Sequence, residues 1–527
     1  MSRMFFPQYR KGRAGIEASE GTILDHARKL GVEIASECGG LGECGRCIVR
    51  IAKGAECLSQ TTEREKKHGL GKDERLACQA RVVSPKSDVN VFIKAFGRYS
   101  VLSESVITKV DGEPFVHREG NRVFHRTGED LGEYGGEIFG LAVDVGTTTL
   151  VMQVIDLEDG RTLSTIARTN PQIAYGNDVI SRIGHTMAVE GGLEELQSVV
   201  IEAVDESLEA LEEEKGEIRR YIYDAVAVGN STMRDIFFGQ EVSSLGVIPF
   251  EPKSREAIVK RAPKLGLSIN PKAYVYGPPL IGGHAGADAL ADIMASGMYR
   301  DNGIVMLLDI GTNGEVAIGN RDAIMTASCA AGGAYEGATT KCGVGAIEGA
   351  IKNIWIADGH VGYETIGGSP AVGICGSGLI DLLAELLRNG IMTKQAKIEK
   401  EFYITKDISI TQEDIYQLIT AKAGLRLDQD LLMGYYGATL DEIEKIYLAG
   451  GFANYTNPDS AAAIGLLPPA ADKTVKIGNG ALAGAREMLL SQDIRKTAEE
   501  TAGKIEHIKP NEREPDFAYL VADRMYF

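Results

Sequence analysis

The 527-residue chain has no apolar run of eighteen residues, and its first thirteen residues carry charges without an apolar centre. A helix that crosses a bilayer needs about twenty mainly apolar residues and a secretory leader needs an apolar middle, so neither is expected and the protein is expected in the cytoplasm. Cysteine is scarce, with eight in the whole chain. That is too few for a disulfide scaffold, and a reducing cytosol leaves such thiols free for metal. Tryptophan occurs once, at Trp355, and is expected in the core. Positive charge is in deficit, with a net charge of −18, but unevenly. Residues 1–95 hold seventeen Lys and Arg against twelve Asp and Glu, a balance of +5 that leaves −23 for the remainder. An acidic body does not suit a nucleic-acid partner. At 44% apolar residues the chain can bury more than one core, which implies two to four domains.

Four of the cysteines share one pattern. Five residues separate Cys38 from Cys44, two separate Cys44 from Cys47, and Cys78 follows after thirty more. Three clustered thiolates and one distant thiolate suit an iron–sulfur cluster, and Gly39, Gly40, Gly42 and Gly45 let backbone N–H groups point at the sulfurs. A zinc site is the alternative, but Cys₄ zinc sites usually come as two Cys-x₂-Cys knuckles and Cys78 has no such partner. These residues resemble a [2Fe–2S] ferredoxin of the β-grasp type. Plant-type members have four residues between the first two cysteines; five is similar to the vertebrate and bacterial hydroxylase ferredoxins.

Around the cysteines the pattern reads as a small sheet with one crossing helix. Strands are expected at 13–18, 46–51, 79–83 and 89–93, with a helix capped by Thr22 and stopped after Leu30 by Gly31. Cys57 fits no ligand spacing and is expected to be a small buried residue. Residues 96–137 read as a linker with a hairpin at Glu119–Asn121.

From Gly140 an apolar strand ends in Asp144 and a glycine–threonine turn (Gly146, Thr147, Thr148), followed by a second strand and, after Glu158-Asp159-Gly160, a third. The same grammar returns 165 residues later at Asp309, Gly311, Thr312, Asn313 and Gly314, an internal duplication. Two such turns can hold phosphates through backbone N–H and hydroxyl donors, while the aspartates hold Mg²⁺ through water.

The pair of turns, in this order, resembles the superfamily of acetate and sugar kinases, heat-shock chaperone ATPases and actin. The resemblance implies two lobes with the turns facing across a cleft, and an adenosine segment in which a strand meets two glycines opening a helix. Gly450, Gly451 and Phe452 match that segment. Gly282–Asp288 looks like the stretch carrying the catalytic aspartate of the carbohydrate kinases, which would have Asp288 orient the attacking water and His284 share its helix face; helix capping is the plain alternative for Asp288. Asn230–Thr232 and Cys375–Gly378 are further strand-to-helix turns, either phosphate-compatible or simple helix starts. Leu193–Gly216 reads as an acidic, solvated helix.

The whole is thus α+β multidomain: a ferredoxin domain at 1–95, a linker at 96–137 and an actin-like ATP-binding domain at 138–527, with lobes at about 138–300 and 301–527. This combination is similar to the reductive activators of corrinoid proteins, and Asn170–Asp178 and Gly333–Ala338 also look like that family. The resemblance implies an ATP-hydrolysing oxidoreductase with a [2Fe–2S] cluster, ATP and Mg²⁺. It would pass one electron to a corrinoid protein of a methyltransferase system in an anaerobe, restoring cob(I)amide from cob(II)amide, with an external low-potential electron donor and a possible homodimer. Family members can carry a longer middle domain between linker and ATP domain, and only about forty residues stand there in this chain. Two other readings stay open: an ATP-driven electron injector for a dehydratase or reductase, and a small-molecule kinase with a redox-sensing ferredoxin domain.

Overall fold

A computed structural model of the chain describes residues 2–6, 15–32, 34, 40–43, 45, 47–68, 70, 73–93, 110, 112–176, 178–329, 333–337 and 339–527. Near the N-terminus five strands form one sheet in the order Ile16–Glu17, Arg3–Phe5, Val89–Ile93, Ile48–Lys53, Glu74–Leu76. Arg3–Phe5 runs parallel to Val89–Ile93 and the other pairs are antiparallel. The helix Ile23–Lys29 crosses this sheet. It starts where expected because Thr22 and Asp25 satisfy each other's backbone N–H groups in a capping box. Ile23, Leu24 and Ala27 from the helix meet Met4, Val49, Leu76 and Val91 from the sheet in one core. A helix packed on a mixed sheet whose first and last strands pair in parallel is the β-grasp arrangement.

The expected hairpin forms between Val116–Glu119 and Arg122–His125, and Asp130–Glu133 adds a third strand. This small sheet is seated on the body. The ring of His125 stacks on Phe115 at 5.6 Å and on Tyr274 at 4.3 Å, Glu129 accepts from Tyr274 at 2.5 Å, and Lys272 donates to the Asp130 carbonyl at 2.9 Å.

The body contains the duplicated unit. In the first half the antiparallel strands Thr162–Thr169, Thr149–Asp156 and Phe139–Val145 continue into the parallel strands Ile222–Val228 and Tyr274–Gly277. In the second half Ile324–Cys329, Gly314–Gly319 and Ile304–Ile310 continue into Ile443–Ala449 and Thr474–Gly478 with the same polarity. Each sheet then gains one strand of its own: Ile258–Arg261 beside Tyr274–Gly277, and Ile505–His507 at the opposite edge, beside Ile324–Cys329.

Two helices tie the halves together. Ala287–Ser296 leads into the second sheet and crosses Gly480–Leu490. The crossing is so close that a Cβ at Gly484 would collide with the Ala291 carbonyl. Leu290, Ala481, Leu482 and Ala485 share one buried cluster with Ala142 and Val226 of the first sheet and Leu307 of the second. The acidic helix Gly192–Lys215 buries Leu196, Val200, Val204, Leu208 and Leu211 at helical spacing and turns its carboxylates outward. Trp355 departs from expectation: it is 44% exposed. It lies on the outer face of the hairpin Ala350–Ala357/His360–Thr365, with its indole over Gly362, where the missing side chain leaves room for it. Among the described residues no helix is long and apolar enough to cross a membrane.

Candidate functional site

Asp144 and Asp309 are each the next-to-last residue of a central strand. The duplication therefore delivers both carboxylates, and the turn after each, to facing walls of one cleft. Gly146, Thr147 and Thr148 line it from the first half, Gly311, Thr312 and Asn313 from the second, with Asp288, Gly450 and Gly451 between. The turns touch, since Thr148 Oγ1 and Thr312 Oγ1 are 3.0 Å apart. Gly450 has φ +115°, and a Cβ there would stand 2.6 Å from the Ile310 carbonyl oxygen and 2.8 Å from Asp309 Oδ1. Glycine at this position lets the third segment close against the second turn.

Two of the expected residues do not line the cleft. Gly314 opens the strand Gly314–Gly319 and abuts Leu425. Phe452 is buried behind the segment, against Gly376, and the glycine pair leads into a single 3₁₀ turn, Ala453–Tyr455, before a helix at Pro458–Ala463. His284 lies in the loop before the helix rather than on it, and gives its carbonyl to Ser231 N at 3.3 Å, so it shares no helix face with Asp288. Asn230 caps the helix Ser231–Phe237 and also donates to Thr147 Oγ1 at 3.0 Å. Ser377 instead donates to the Lys352 carbonyl at 2.7 Å, away from the cleft.

The first turn is held from behind by residues of the Asn170–Asp178 stretch and the helix after it. Asn170 Nδ2 donates to the Gly146 carbonyl at 2.8 Å and Arg182 Nη2 to the Thr147 carbonyl at 2.5 Å. Arg182 is fully buried and also binds the Gly176 carbonyl and Gln172 Oε1. Burial lowers its pKa to about 9. Donors at these two carbonyls satisfy them and hold the turn in one conformation.

The cleft floor is crowded with carboxylates. Burial raises Asp144 to about 7, with the neighbouring Asp309 and Glu336 charges adding to it and the Asn479 bond opposing it. Burial, with the Asp144 and Asp309 charges adding to it, carries Asp288 to about 8, although the Ala289 N–H, 2.8 Å from its Oδ1, works against the rise. Asp292, one helical turn on, is buried and neither of its oxygens meets a donor; burial and the adjacent Asp309 hold it well above the usual carboxylate range. Low dielectric and like charge disfavour so many anions together, and a divalent cation reverses that balance. Among the described residues no three acidic, His or Cys side chains converge tightly enough to grip an ion directly. Mg²⁺ usually keeps several waters and binds through one or two carboxylates plus substrate phosphates.

At the ferredoxin end, Cys47 Sγ and Cys78 Sγ are 3.3 Å apart, too far for a disulfide bond. The Cys47 contact, opposed by burial and assisted by Gln79 and the Gly42 N–H, lowers Cys78 to about 6, which favours the thiolate that metal needs. Gly42 and Gly45 have φ +75° and +70°, and a Cβ at either would strike Gln79 or His68. The donor set fits an iron–sulfur cluster; Cys38 and Cys44 lie outside the described residues. Cys57 is buried with its sulfur 3.3 Å from Ser87 Oγ.

Sequence reasoning missed Glu336 and Asn479 as cleft residues. Glu336 reaches the cleft from a loop, and Asn479 from the end of the strand Thr474–Gly478. Only the family-like stretch Gly333–Ala338 hinted at the first.

Three family models match the chain: the 2Fe-2S iron-sulfur cluster binding domain over residues 11–83, the RACo middle region over 139–301, and the C-terminal domain of RACo, the ASKHA domain, over 303–526. The middle region thus coincides with the half that carries the first turn, which corrects the expectation of a shortened middle part. The corrinoid activation enzyme RamQ of Eubacterium limosum is 31% identical over 544 aligned residues, spanning 90% of this chain and 91% of that one. The [Co(II) methylated amine-specific corrinoid protein] reductase of Methanosarcina barkeri is 27% identical over 402 residues, 70% of this chain and 73% of that one. A solved structure, the reductive activator for corrinoid, iron-sulfur protein, superposes with a TM-score of 0.75 at 28% identity, covering 100% of this chain and 98% of the other. The chain belongs to the family of reductive activators of corrinoid proteins, in which a [2Fe–2S] ferredoxin domain is joined to an ATP-binding ASKHA body.

Proposed function

We propose that the chain is an ATP-dependent reductive activator that passes one electron from a [2Fe–2S] cluster to a corrinoid protein of a methyltransferase system, returning cob(II)amide to cob(I)amide. Residues 1–95 form the ferredoxin domain, 96–137 join it to the body, and 138–527 form the two-lobed ATP-binding part. Cys38, Cys44, Cys47 and Cys78 hold the cluster, which supplies one electron at a time. Asp144 and Asp309 hold Mg²⁺ through water. The hydroxyls and N–H groups of Thr147, Thr148, Thr312 and Asn313 take the phosphates, Gly450 and Gly451 receive the adenosine, and Asp288 orients water toward the terminal phosphate. The work is cytoplasmic, with an external low-potential donor recharging the cluster.

The observation that carries this reading is the meeting of Thr148 with Thr312 at 3.0 Å. A nucleotide whose phosphates bind both turns must set the angle between the lobes, and lobe angle is the variable a partner can feel. Driving one electron up a gap on the order of 200 mV requires about 5 kcal/mol. A nucleotide meets that demand when it shifts docked states by roughly 10⁴-fold. The test is spectroscopic: Asp144→Ala and Asp309→Ala should abolish ATP hydrolysis and cob(II) loss while leaving the cluster's visible spectrum unchanged. Either variant reducing the corrinoid partner at the wild-type rate would remove nucleotide turnover as the driving step. Stoichiometric conversion of ATP into a phosphorylated small molecule would return the kinase reading.

A further inference from the structure

Glu336 sits between the two turns. Its Oε2 accepts from Thr312 Oγ1 and, at 3.3 Å, from Thr148 Oγ1. Its Oε1 lies 3.9 Å from where a Cβ at Gly311 would stand. An anionic oxygen that takes donors from both turns is chemically what a phosphoryl group presents to them. Each threonine hydroxyl has one proton to give. A hydroxyl donating to Glu336 therefore cannot donate to a phosphate oxygen at the same moment.

We propose that Glu336 is an internal competitor for the phosphate end of the nucleotide: its carboxylate and a phosphate group exchange for the Thr148 and Thr312 hydroxyls. The inference rests on the reading of the cleft as a nucleotide site, and adds a residue that tunes affinity for phosphate separately from affinity for adenosine.

The backbone around Glu336 decides how the exchange happens. Tyr335 is buried, with its hydroxyl donating to the Leu418 carbonyl at 3.2 Å, and its own carbonyl is pressed against Gly376 at the start of a helix. On the other side Gly337, at φ +77°, is packed under the Val344 backbone with no room for a side chain. The stem is clamped at both ends, so Glu336 leaves by rotating its own side chain while the loop stays. After the terminal phosphate is cleaved, the same carboxylate is already in reach of both hydroxyls and opposes rebinding of phosphate. Carboxylate exchange thus makes phosphate release easier while adenosine contacts at Gly450 and Gly451 are untouched.

A residue that instead stayed beside bound ATP to orient water would show the opposite signature. Its removal would slow hydrolysis without tightening binding. The experiment is calorimetric titration of the full-length, cluster-loaded protein with Mg-ATP, inorganic phosphate and adenosine, for wild type, Glu336→Ala and Glu336→Gln. We expect Glu336→Ala to bind ATP and phosphate about tenfold tighter, the scale of one charge-assisted hydrogen bond no longer surrendered. Adenosine affinity should be unchanged, and Glu336→Gln, uncharged but still an acceptor, should fall between. ATP binding equal to or weaker than wild type in the alanine variant, with adenosine unchanged, overturns the proposal and leaves the nucleotide site standing. An equal gain for adenosine also overturns it, by showing a general loosening of the cleft. Wild type that binds no ATP overturns both. Thermal melts on the same samples show that each variant is folded.

Discussion

Asn479 Nδ2 donates to Asp144 Oδ2 at 2.8 Å across a separation of 335 residues. The same side chain's Oδ1 accepts from Leu482 N at 2.8 Å and caps the helix Gly480–Leu490. One residue thus starts the helix that joins the halves and steadies a cleft carboxylate.

The two roles of Asn479 separate by substitution. Asn479→Asp keeps a capping oxygen but loses the donor and adds a like charge beside Asp144; Asn479→Ala loses both. We expect the alanine variant to lose about 1 kcal/mol of stability, the usual worth of a cap. The aspartate variant should melt near wild type. Both should hydrolyse ATP roughly tenfold more slowly, the scale of one hydrogen bond to a charged group. Wild-type hydrolysis by Asn479→Asp would reduce the residue to a helix cap.

Iron content tests the ligand set. The purified protein should hold two irons per chain, and Cys57→Ser should keep both, since Cys57 is buried with its sulfur against Ser87. Four irons per chain, or iron lost from the Cys57 variant, would require a different cluster or a different fourth ligand.

What could be read directly from the sequence was whatever is local. The cysteine spacing, the Thr22 cap and the two Asp–Gly–Thr turns lie within a few residues, so residue type alone announces their chemistry. The duplication was legible because the same short pattern occurs twice. Glu336 and Asn479 were not, because each reaches the cleft from its own loop or strand end and neither neighbours a turn in the chain. Arg182 was missed for a related reason: its bonds to the turn and to Gly176 go to backbone carbonyls, and carbonyls leave no sequence signal. Trp355 was misplaced because its location depends on a glycine in the paired strand. The third strand of the 112–134 sheet was overlooked because only docking on Tyr274 and Arg261 makes so polar a segment worth ordering.

That docking carries a pH dependence. His125 is buried against Phe115 and Tyr274, and burial, with Arg495 and Arg261 nearby and Glu129 opposing, lowers it to about 4. The unfolded ring takes its proton near 6.5, so between pH 6.5 and about 4 the unfolded chain binds more protons than the folded one. Stability from this group is therefore complete above pH 6.5 and is lost as pH falls through that window. The full loss is about 3 kcal/mol at ~1.4 kcal/mol per pH unit. His507, lowered to about 4 mainly by burial, acts in the same direction. In chemical denaturation from pH 7 to 4.5, His125→Phe should show a shallower decline than wild type. Parallel curves would mean the ring does not titrate differently on folding.

The uneven charge bears on electron delivery. The ferredoxin domain carries +5 by residue count and the rest of the chain −23. Arg28 on the ferredoxin helix donates to the backbone carbonyl of Ala174 at 2.8 Å, in the stretch whose Asn170 holds the first turn. Of Arg64, Lys66, Lys67 and Lys72, a basic group close in sequence to Cys78, Arg64 is engaged with the Leu41 carbonyl and Lys66 with Glu63 at 2.5 Å. Lys67 is exposed, and Lys72 lies outside the described residues. A basic domain beside an acidic body should be drawn to it at low salt and released as the screening length falls from ~30 Å at 0.01 M to ~8 Å at 0.15 M. Exchange between a parked and a delivering position then makes the rate of cob(II) loss vary with ionic strength. Reversing Lys66 and Lys67 to glutamate should lower that rate and flatten its salt dependence, with ATP affinity unchanged because neither residue lines the cleft. Stopped-flow traces across a salt series decide the matter. If wild type and the reversed variant give superimposable profiles, these charges do no more than solvate the ferredoxin surface.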